Sequence, residues 1–416
     1  MEHNPAVALL LALGIIILAS RVGGAIARWL KQPRVLGELI VGVLLGPTLL
    51  DFLHWDVFHG IELGETIHEM AELGVIILMF NIGLEVSLKE LAKVGRVGIF
   101  AGVLGAVAPI VLVVPFMFAS GYEWQPALFT GVTLAATSVS ISAQVLFELG
   151  VLQTKEGNAL LATALIDDVL AILLVSVVVA VTAASGASAG AEEGGAAADL
   201  GLVLLRMVGY IVIAGALAWF VVPRHFNWLA KHPSIAQSYG IEASALIIML
   251  LFAWSAEELG GVATITGSFL AGIGMSRARE SVKHAIEETA SAIAYSFLVP
   301  IFFIQVGLGA DLSTFPLEAL PFAAVILVIA VISKVGGCGL GAIMGGFNRL
   351  QSLRLGVCMV SRGEVGLIVA SIGLSVGIFT QDSSLFSALF LVILISTLIT
   401  PILVRWAFAG ETAATS

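Results

Sequence analysis

The sequence predicts an all-α protein that crosses a membrane many times, and three observations predict it. Hydrophobic residues make up 59% of the chain against 12% charged, with a mean hydropathy of +1.07, far from the balance of a water-soluble domain. Thirteen apolar runs, most of them long enough to span a bilayer as a helix, are separated by charged or Gly/Pro-containing connections. The basic residues gather in alternate connections. The runs cover about 5–26, 35–53, 67–88, 97–119, 126–148, 158–184, 201–222, 239–256, 261–276, 288–310, 318–346, 354–378 and 384–408.

The first run follows Met1-Glu2-His3-Asn4-Pro5, which is acidic and leads to no small-residue cleavage site, so it reads as a spanning helix and not a removable signal. Glu38 in the second and Glu85 at the end of the third lie toward span ends, where carboxylates cap or pair at an interface. In the fifth, Thr133 to Ser142 is rich in hydroxyls at mid-depth, and the sixth carries Asp167-Asp168 at its centre. Between about Ser185 and Asp199 lies a low-complexity loop of Ser, Gly, Ala and Glu. After the seventh run, Arg224–Ser234 suits a short interfacial helix, and the small residues from Gly261 to Ser276 in the ninth suit close packing. Lys334 lies near the middle of the eleventh run, and Ser361-Arg362-Gly363-Glu364-Val365-Gly366 interrupts the twelfth.

With the N-terminus outside, sixteen of the nineteen Lys and Arg residues fall on the opposite side, which the positive-inside rule makes cytoplasmic. Arg206, Lys334 and Arg362 are the remainder, and the outer connections carry acids instead. An odd number of spans then puts the C-terminus in the cytoplasm. Cys338 and Cys358 lie in apolar runs without metal-ligand spacing and read as packing residues. The net charge of −10 and the absence of a basic cluster interleaved with aromatics exclude nucleic acid as a partner.

The flexible loop falls just before the middle span, which suggests two six-span halves joined by the seventh. Phe80–Leu88 and Ile304–Leu312 align as Phe-Asn-Ile-Gly-Leu-Glu-Val-Ser-Leu on Ile-Gln-Val-Gly-Leu-Gly-Ala-Asp-Leu, each ending the third span of its half. Seven crossings separate them, so the two copies run in opposite directions, as an inverted repeat requires.

Deep charges carry the chemistry. Asp167, Asp168, Lys334, Arg362 and Glu364 sum to −1 when all are ionised. Unpaired, five such charges would cost on the order of 10 kcal/mol or more, so most are expected to be matched to one another. One carboxylate is in excess by count. A proton or one monovalent cation would neutralise it, and their competition for one position is sufficient for exchange if the site opens alternately to each side. Neighbouring helical residues point about 100° apart, so one aspartate is free to pair with a base while the other lines a cavity. In the fifth span, the hydroxyls and freed carbonyls are suited to a hard cation such as Na⁺, with a small-residue helix-packing face as the plainer alternative from composition. Interrupted segments at corresponding positions of the two halves point to a midplane binding site. An intramembrane hydrolase is disfavoured, because no His or Cys shares the depth of the acids and no Gly-x-Ser-x-Gly or His-Glu-x-x-His pattern occurs.

Several stretches carry a resemblance to the monovalent cation:proton antiporter-2 family, most of all to bacterial Na⁺/H⁺ antiporters of the NapA type. They are Gln32–Glu38 with Gly46-Pro47, Glu72-Leu73-Gly74, Phe80–Glu85, Asp167-Asp168, Lys334 and Ser361–Glu364, in order along the whole chain. The resemblance implies an inverted-repeat antiporter fold with two crossed broken helices. It also implies a homodimer, with residues 1–96 and 239–312 as dimer-domain helices 1–3 and 8–10 and residues 97–184 and 313–416 as core helices 4–6 and 11–13. Residues 185–238 would hold the external loop and linker helix 7. The breaks would lie at Thr137-Ser138 and around Arg362-Gly363, with Arg362 and Glu364 as charge partners. Asp168 matches the residue that binds Na⁺ or a proton, and Asp167 the one that pairs with Lys334. Such an Asp-Asp pair with the lysine implies electrogenic exchange of a Na⁺ for protons across the inner (plasma) membrane. The expected ligands are monovalent cations and protons, with no cofactor. Potassium-efflux members usually carry Gln-Asp and append a nucleotide-binding domain, whereas this chain stops at Ser416. A K⁺/H⁺ antiporter, a cation channel and an ion-sensing membrane protein remain alternatives.

Overall fold

The computed structural model describes residues 5–58, 63–85, 93–184, 196–232, 239–309, 317–363, 365–366, 369–370, 373, 378 and 384–409. Among the described residues the fold is all helical, and ten segments are long and apolar enough to cross a membrane. The chain divides into two compact units. One comprises Met1–Leu88 and Arg206–Ser313, the other Lys89–Leu205 and Thr314–Ser416.

The first unit begins with α1 (Pro5–Trp29), α2 (Arg34–Leu45) and α3 (Leu63–Glu85). The second opens with α4 (Gly95–Ala119), the short α5 (Trp124–Ala135) and α6 (Val139–Glu148), and the long α7 (Lys155–Ala184). The seventh span, α8 (Ala196–Phe220), is divided between the units at Leu205 and Arg206. The first unit then resumes with α9 (Val222–Leu229), α10 (Gly240–Ser255), α11 (Thr264–Met275), α12 (Glu280–Ile293) and α13 (Val299–Leu308). A π-turn at Ala294–Leu298 runs α12 into α13. The second unit closes with α14 (Leu320–Gly345), α15 (Arg349–Cys358) and α16 (Ser384–Ala407).

Two spans are shorter in the structure than their apolar runs. α2 stops at Leu45, because Gly46 turns to an extended conformation ahead of Pro47, and the residue before a proline is sterically kept out of the helical region. α11 begins at Thr264, after a π-turn over Ala256–Gly260 and the left-handed Gly261 (φ +65°). At 12 residues each, these two helices rise only about 18 Å, short of the hydrocarbon thickness. The twelfth run begins as α15. Most of its later half, residues 185–195 of the expected loop and Asp311-Leu312 lie outside the described residues, and the rest of that expected loop, Ala196 to Asp199, is instead the first turn of α8.

The first unit is held by two glycine seams. A Cβ on Gly42 of α2 would stand 2.4 Å from the Ile304 carbonyl oxygen and 2.9 Å from Gly307 Cα of α13. A Cβ on Gly272 of α11 would stand 2.2 Å from the Phe80 carbonyl oxygen and 3.0 Å from Gly83 Cα of α3. Phe80 and Gly83 occupy the same places in their nonamer as Ile304 and Gly307, so the sequence match and the packing share one register. Small residues let apolar helices approach this closely, where dispersion has to replace a hydrophobic effect that lipid does not supply.

In the second unit α4 is the spacer. One face meets α7, with Gly98 against Ala162 and Gly102 against Ile166. The other meets α14, whose Gly337, Gly341 and Gly345 sit on the backbone of Leu104, Phe100 and Val97. That i, i+4, i+8 stripe brings the two backbones into contact along a single ridge. Phe129, Val132, Ile326, Leu389 and Val392 fill an apolar core, and Phe322 stacks on Phe116 at 5.7 Å and lies 5.5 Å from Tyr122.

Candidate functional site

Because α4 holds α7 and α14 on either side at glycine distance, the charged residues midway along those two helices come within reach of one another. Lys334 Nζ donates to Asp167 Oδ1 at 3.0 Å, with the two side chains 0% and 3% exposed. Gly105 of α4 lies beside the pair, where a Cβ would stand 2.3 Å from Cys338 Sγ, one turn after Lys334, and 3.7 Å from Lys334 Nζ. Two charges removed from water lose several kcal/mol of hydration each, and only their close contact offsets it. The second oxygen, Asp167 Oδ2, is buried with no hydrogen-bond partner among the described residues. Asp168 is half-buried one position further along α7, its side chain turned about 100° around the helix.

Two backbone interruptions meet in the same unit. Between α5 and α6, Ala136 and Ser138 take extended conformations (ψ 138° and 111°), which opens the helix around Thr137. After α15, Met359 leaves the helix, and Gly363 (φ +42°) starts a new turn in which the Gly366 N–H donates to the Arg362 carbonyl. The Ser138 N–H donates to the Ser361 carbonyl oxygen at 3.0 Å, and Ser142 Oγ donates to the Cys358 carbonyl at 2.5 Å. A Cβ on Gly363 would fall 2.5 Å from Ser138 Cβ, so this approach admits only glycine. Thr397 of α16 accepts the Gly363 N–H at 3.0 Å. Each break thus satisfies part of the other's freed backbone, which is how irregular chain survives at membrane depth.

Of the site residues expected from sequence, Asp167 and Lys334 are brought into direct contact, and Ser138 is joined to the second break. Thr137 is buried, and its hydroxyl reaches the Ala135 carbonyl at 3.4 Å. Arg362 is fully buried, but its described hydrogen bonds go to the carbonyls of Met359 (3.3 Å) and of Ala330 (3.0 Å), one turn before Lys334 on α14. Its Nε has no partner among the described residues. Glu364 lies outside the described residues. Both cysteines are free and buried.

Sequence reasoning missed a second buried ion pair. Arg354, assigned only to the basic side, bonds Glu156 Oε1 at 3.2 Å and the Ala407 carbonyl at 3.1 Å, with its guanidinium 4.8 Å from the Phe408 ring. It ties the beginning of α7 and the end of α16 to α15. The one available signal was an apolar run that begins on an arginine.

Comparison with known proteins places this arrangement in context. The family described as "Sodium/hydrogen exchanger, transmembrane" matches residues 14–410. The chain is similar to the Na(+)/H(+)-K(+) antiporter GerN of Bacillus cereus, 35% identical over 399 residues that cover 96% of each protein. It is also similar to a Na(+)/H(+) antiporter of Enterococcus hirae, 33% identical over 396 residues, or 94% of this chain and 96% of the relative. Among solved structures, the sodium proton antiporter MjNhaP1 from Methanocaldococcus jannaschii matches with a TM-score of 0.66 at 16% identity over 99% of both chains, a likeness of fold.

Proposed function

This chain belongs to the sodium/hydrogen exchanger family, and from that premise we propose that it exchanges Na⁺ for protons by alternating access, with Asp168 as the position the two ions contest. It is a membrane cation/proton antiporter and not an enzyme. The observation that carries the site assignment is the Lys334–Asp167 pair, buried at 3.0 Å on the residue adjoining Asp168. The transported ion is assigned to the adjoining Asp168 because that position matches the ion-binding carboxylate of the antiporters the chain resembles. Thr137, Ser138 and the carbonyls freed at the first break supply oxygens of the kind a hard cation takes. When Na⁺ occupies Asp168, release of Asp167 from Lys334 lets the lysine give up a second proton, which makes the cycle electrogenic.

We read the second unit as the moving core and the first as the scaffold on which two copies of the chain pair. The matching seams at Gly42–Gly307 and Gly272–Gly83 support an inverted repeat, and the Ser138–Ser361 bond supports two broken helices that cross. We place the chain in the plasma membrane, and the distribution of Lys and Arg supports an orientation with the N-terminus outside and the C-terminus in the cytoplasm. The Bacillus cereus relative, which carries K⁺ in its name, supports a second reading in which K⁺ is also carried.

The test is a pH-gradient dye assay on the purified chain in liposomes, with Na⁺, Li⁺ and K⁺ added separately at several pH values. Na⁺ is expected to dissipate the gradient, and Asp168→Asn to abolish that response while the protein still purifies as a folded species. Retained exchange in Asp168→Asn excludes Asp168 as the carrier.

A further inference from the structure

Away from the ion site, the first unit holds a cleft of about 370 Å³ lined by Arg224, Asn227, Trp228, Lys231 and Arg279. Three of these five residues are cations and none is an acid. α9 forms one wall. Its Val222, Phe226 and Leu229 are buried, whereas Arg224 and Trp228, one turn apart, face outward. The backbone N–H of Arg279 donates to Asn227 Oδ1 at 3.3 Å, which pins α9 to the turn leading into α12, so that cations from both line one cleft. One guanidinium nitrogen of Arg224 is spent on the Phe220 carbonyl, and the neighbouring Arg277 lies over the Trp219 ring at 3.8 Å and bonds its carbonyl. Among the described residues, the side chains of Lys231 and Arg279 have no hydrogen-bond or ion-pair partner. Like charges lining one cleft repel one another, and an anion between them relieves the repulsion.

We infer that this cleft binds the phosphate of an anionic phospholipid headgroup. Guanidinium forks and an ammonium match phosphate oxygens, and an amphipathic helix at the membrane surface presents them at headgroup depth. The rim separates a lipid from a soluble anion. Trp219 (41% exposed), Phe220 (54%), Val221 (52%) and Trp228 (49%) offer an apolar, aromatic border to acyl chains and the interfacial zone. The inference rests on the membrane orientation proposed above, in which this end of the unit is cytoplasmic, and not on the ion assignment.

The test uses the full chain, delipidated in neutral detergent, with native mass spectrometry counting bound lipid and thermal unfolding reporting stabilisation. Phosphatidylglycerol is expected to bind and to raise the Tm, and phosphatidylcholine to do neither. Each neutralised cation should weaken phosphatidylglycerol binding about fivefold. The pair Arg224→Gln and Lys231→Gln should therefore lose about 25-fold, whereas Arg28→Gln with Arg349→Gln, two exposed basic residues elsewhere, should change little. Equal loss in both pairs reduces the effect to general charge and overturns the site. Stabilisation by inorganic phosphate equal to that by phosphatidylglycerol leaves a phosphate site but overturns the lipid. Antiport measured in parallel separates either failure from failure of the ion mechanism.

Discussion

The Lys334–Asp167 contact shows how differently a buried pair responds to losing one partner or both. Taking away the lysine alone leaves a carboxylate without its hydrogen-bonded cation in a position that is 3% exposed. Breaking such a pair costs about 3–5 kcal/mol, whereas neutralising both members is often close to neutral. Lys334→Gln and Asp167→Asn are therefore each expected to lower the thermal midpoint of the detergent-solubilised protein, and the double variant to recover most of the loss. Additive losses would mean that the two residues are not coupled. This contact was half legible in the sequence. A charge at mid-depth in an apolar run is costly enough to announce itself, so both aspartates and the lysine stand out. Which aspartate meets the lysine depends on helix rotation, and charge and spacing along one chain do not specify that. Glu156–Arg354 was illegible for a related reason. Both residues lie near the ends of apolar runs, where charges are ordinarily solvated, and only packing against Ala407 and Phe408 buries them.

At the scale of elements, apolar run length located the helices, and breaks in the backbone decided where they stop. Thr-Ser-Val-Ser in the fifth run and Ser-Arg-Gly-Glu in the twelfth marked both interruptions, because hydroxyls compete with backbone hydrogen bonds and glycine tolerates the left-handed turn. The meeting of the two breaks was not legible, since it depends on residues more than two hundred positions apart. The shortness of α2 was within reach, because Gly46-Pro47 is a local signal that a hydrophobicity window averages away. Gly363 tests the junction directly. Alanine there would combine a positive φ with a Cβ 2.5 Å from that of Ser138, and a non-glycine residue held in this region pays about 1–3 kcal/mol of strain before any clash. Gly363→Ala should lower the Tm and remove exchange in liposomes. Gly336→Ala on α14, where nothing lies within 4 Å of the added carbon, should keep both. Full exchange by Gly363→Ala would mean that the close approach of the two breaks is not required for transport.

For the molecule as a whole, both units are built by the same means, small residues that let helices touch backbone to backbone, yet their interiors differ. In the second unit, Asp167, Lys334 and Arg362 are buried together with the hydroxyls of the first break. The first unit carries its repeated seams on glycines set against neighbouring backbone, and its buried carboxylate, Glu38, is bonded to Ser20 and Arg34 on α1 and at the start of α2. That contrast was foreshadowed by the depth of the charges along the chain. The division of α8 at Leu205 and Arg206 was not, because an unbroken apolar run gives no sign of which neighbours each half will find. If the second unit carries one contested carboxylate past both sides of the membrane, proton and cation occupancy exclude each other, and transport inherits a simple linkage. On the acid side of the titration, each unit by which pH falls should raise the apparent KM for Na⁺ about tenfold for each proton the cation displaces, and so about a hundredfold where Lys334 gives up its proton as well, while the maximal rate stays constant, because protons remove only the cation-accepting form. Initial rates over a matrix of Na⁺ concentration and symmetric pH measure both quantities. A KM that stays fixed while the maximal rate falls would place the proton away from the cation, and a single shared seat would then be excluded.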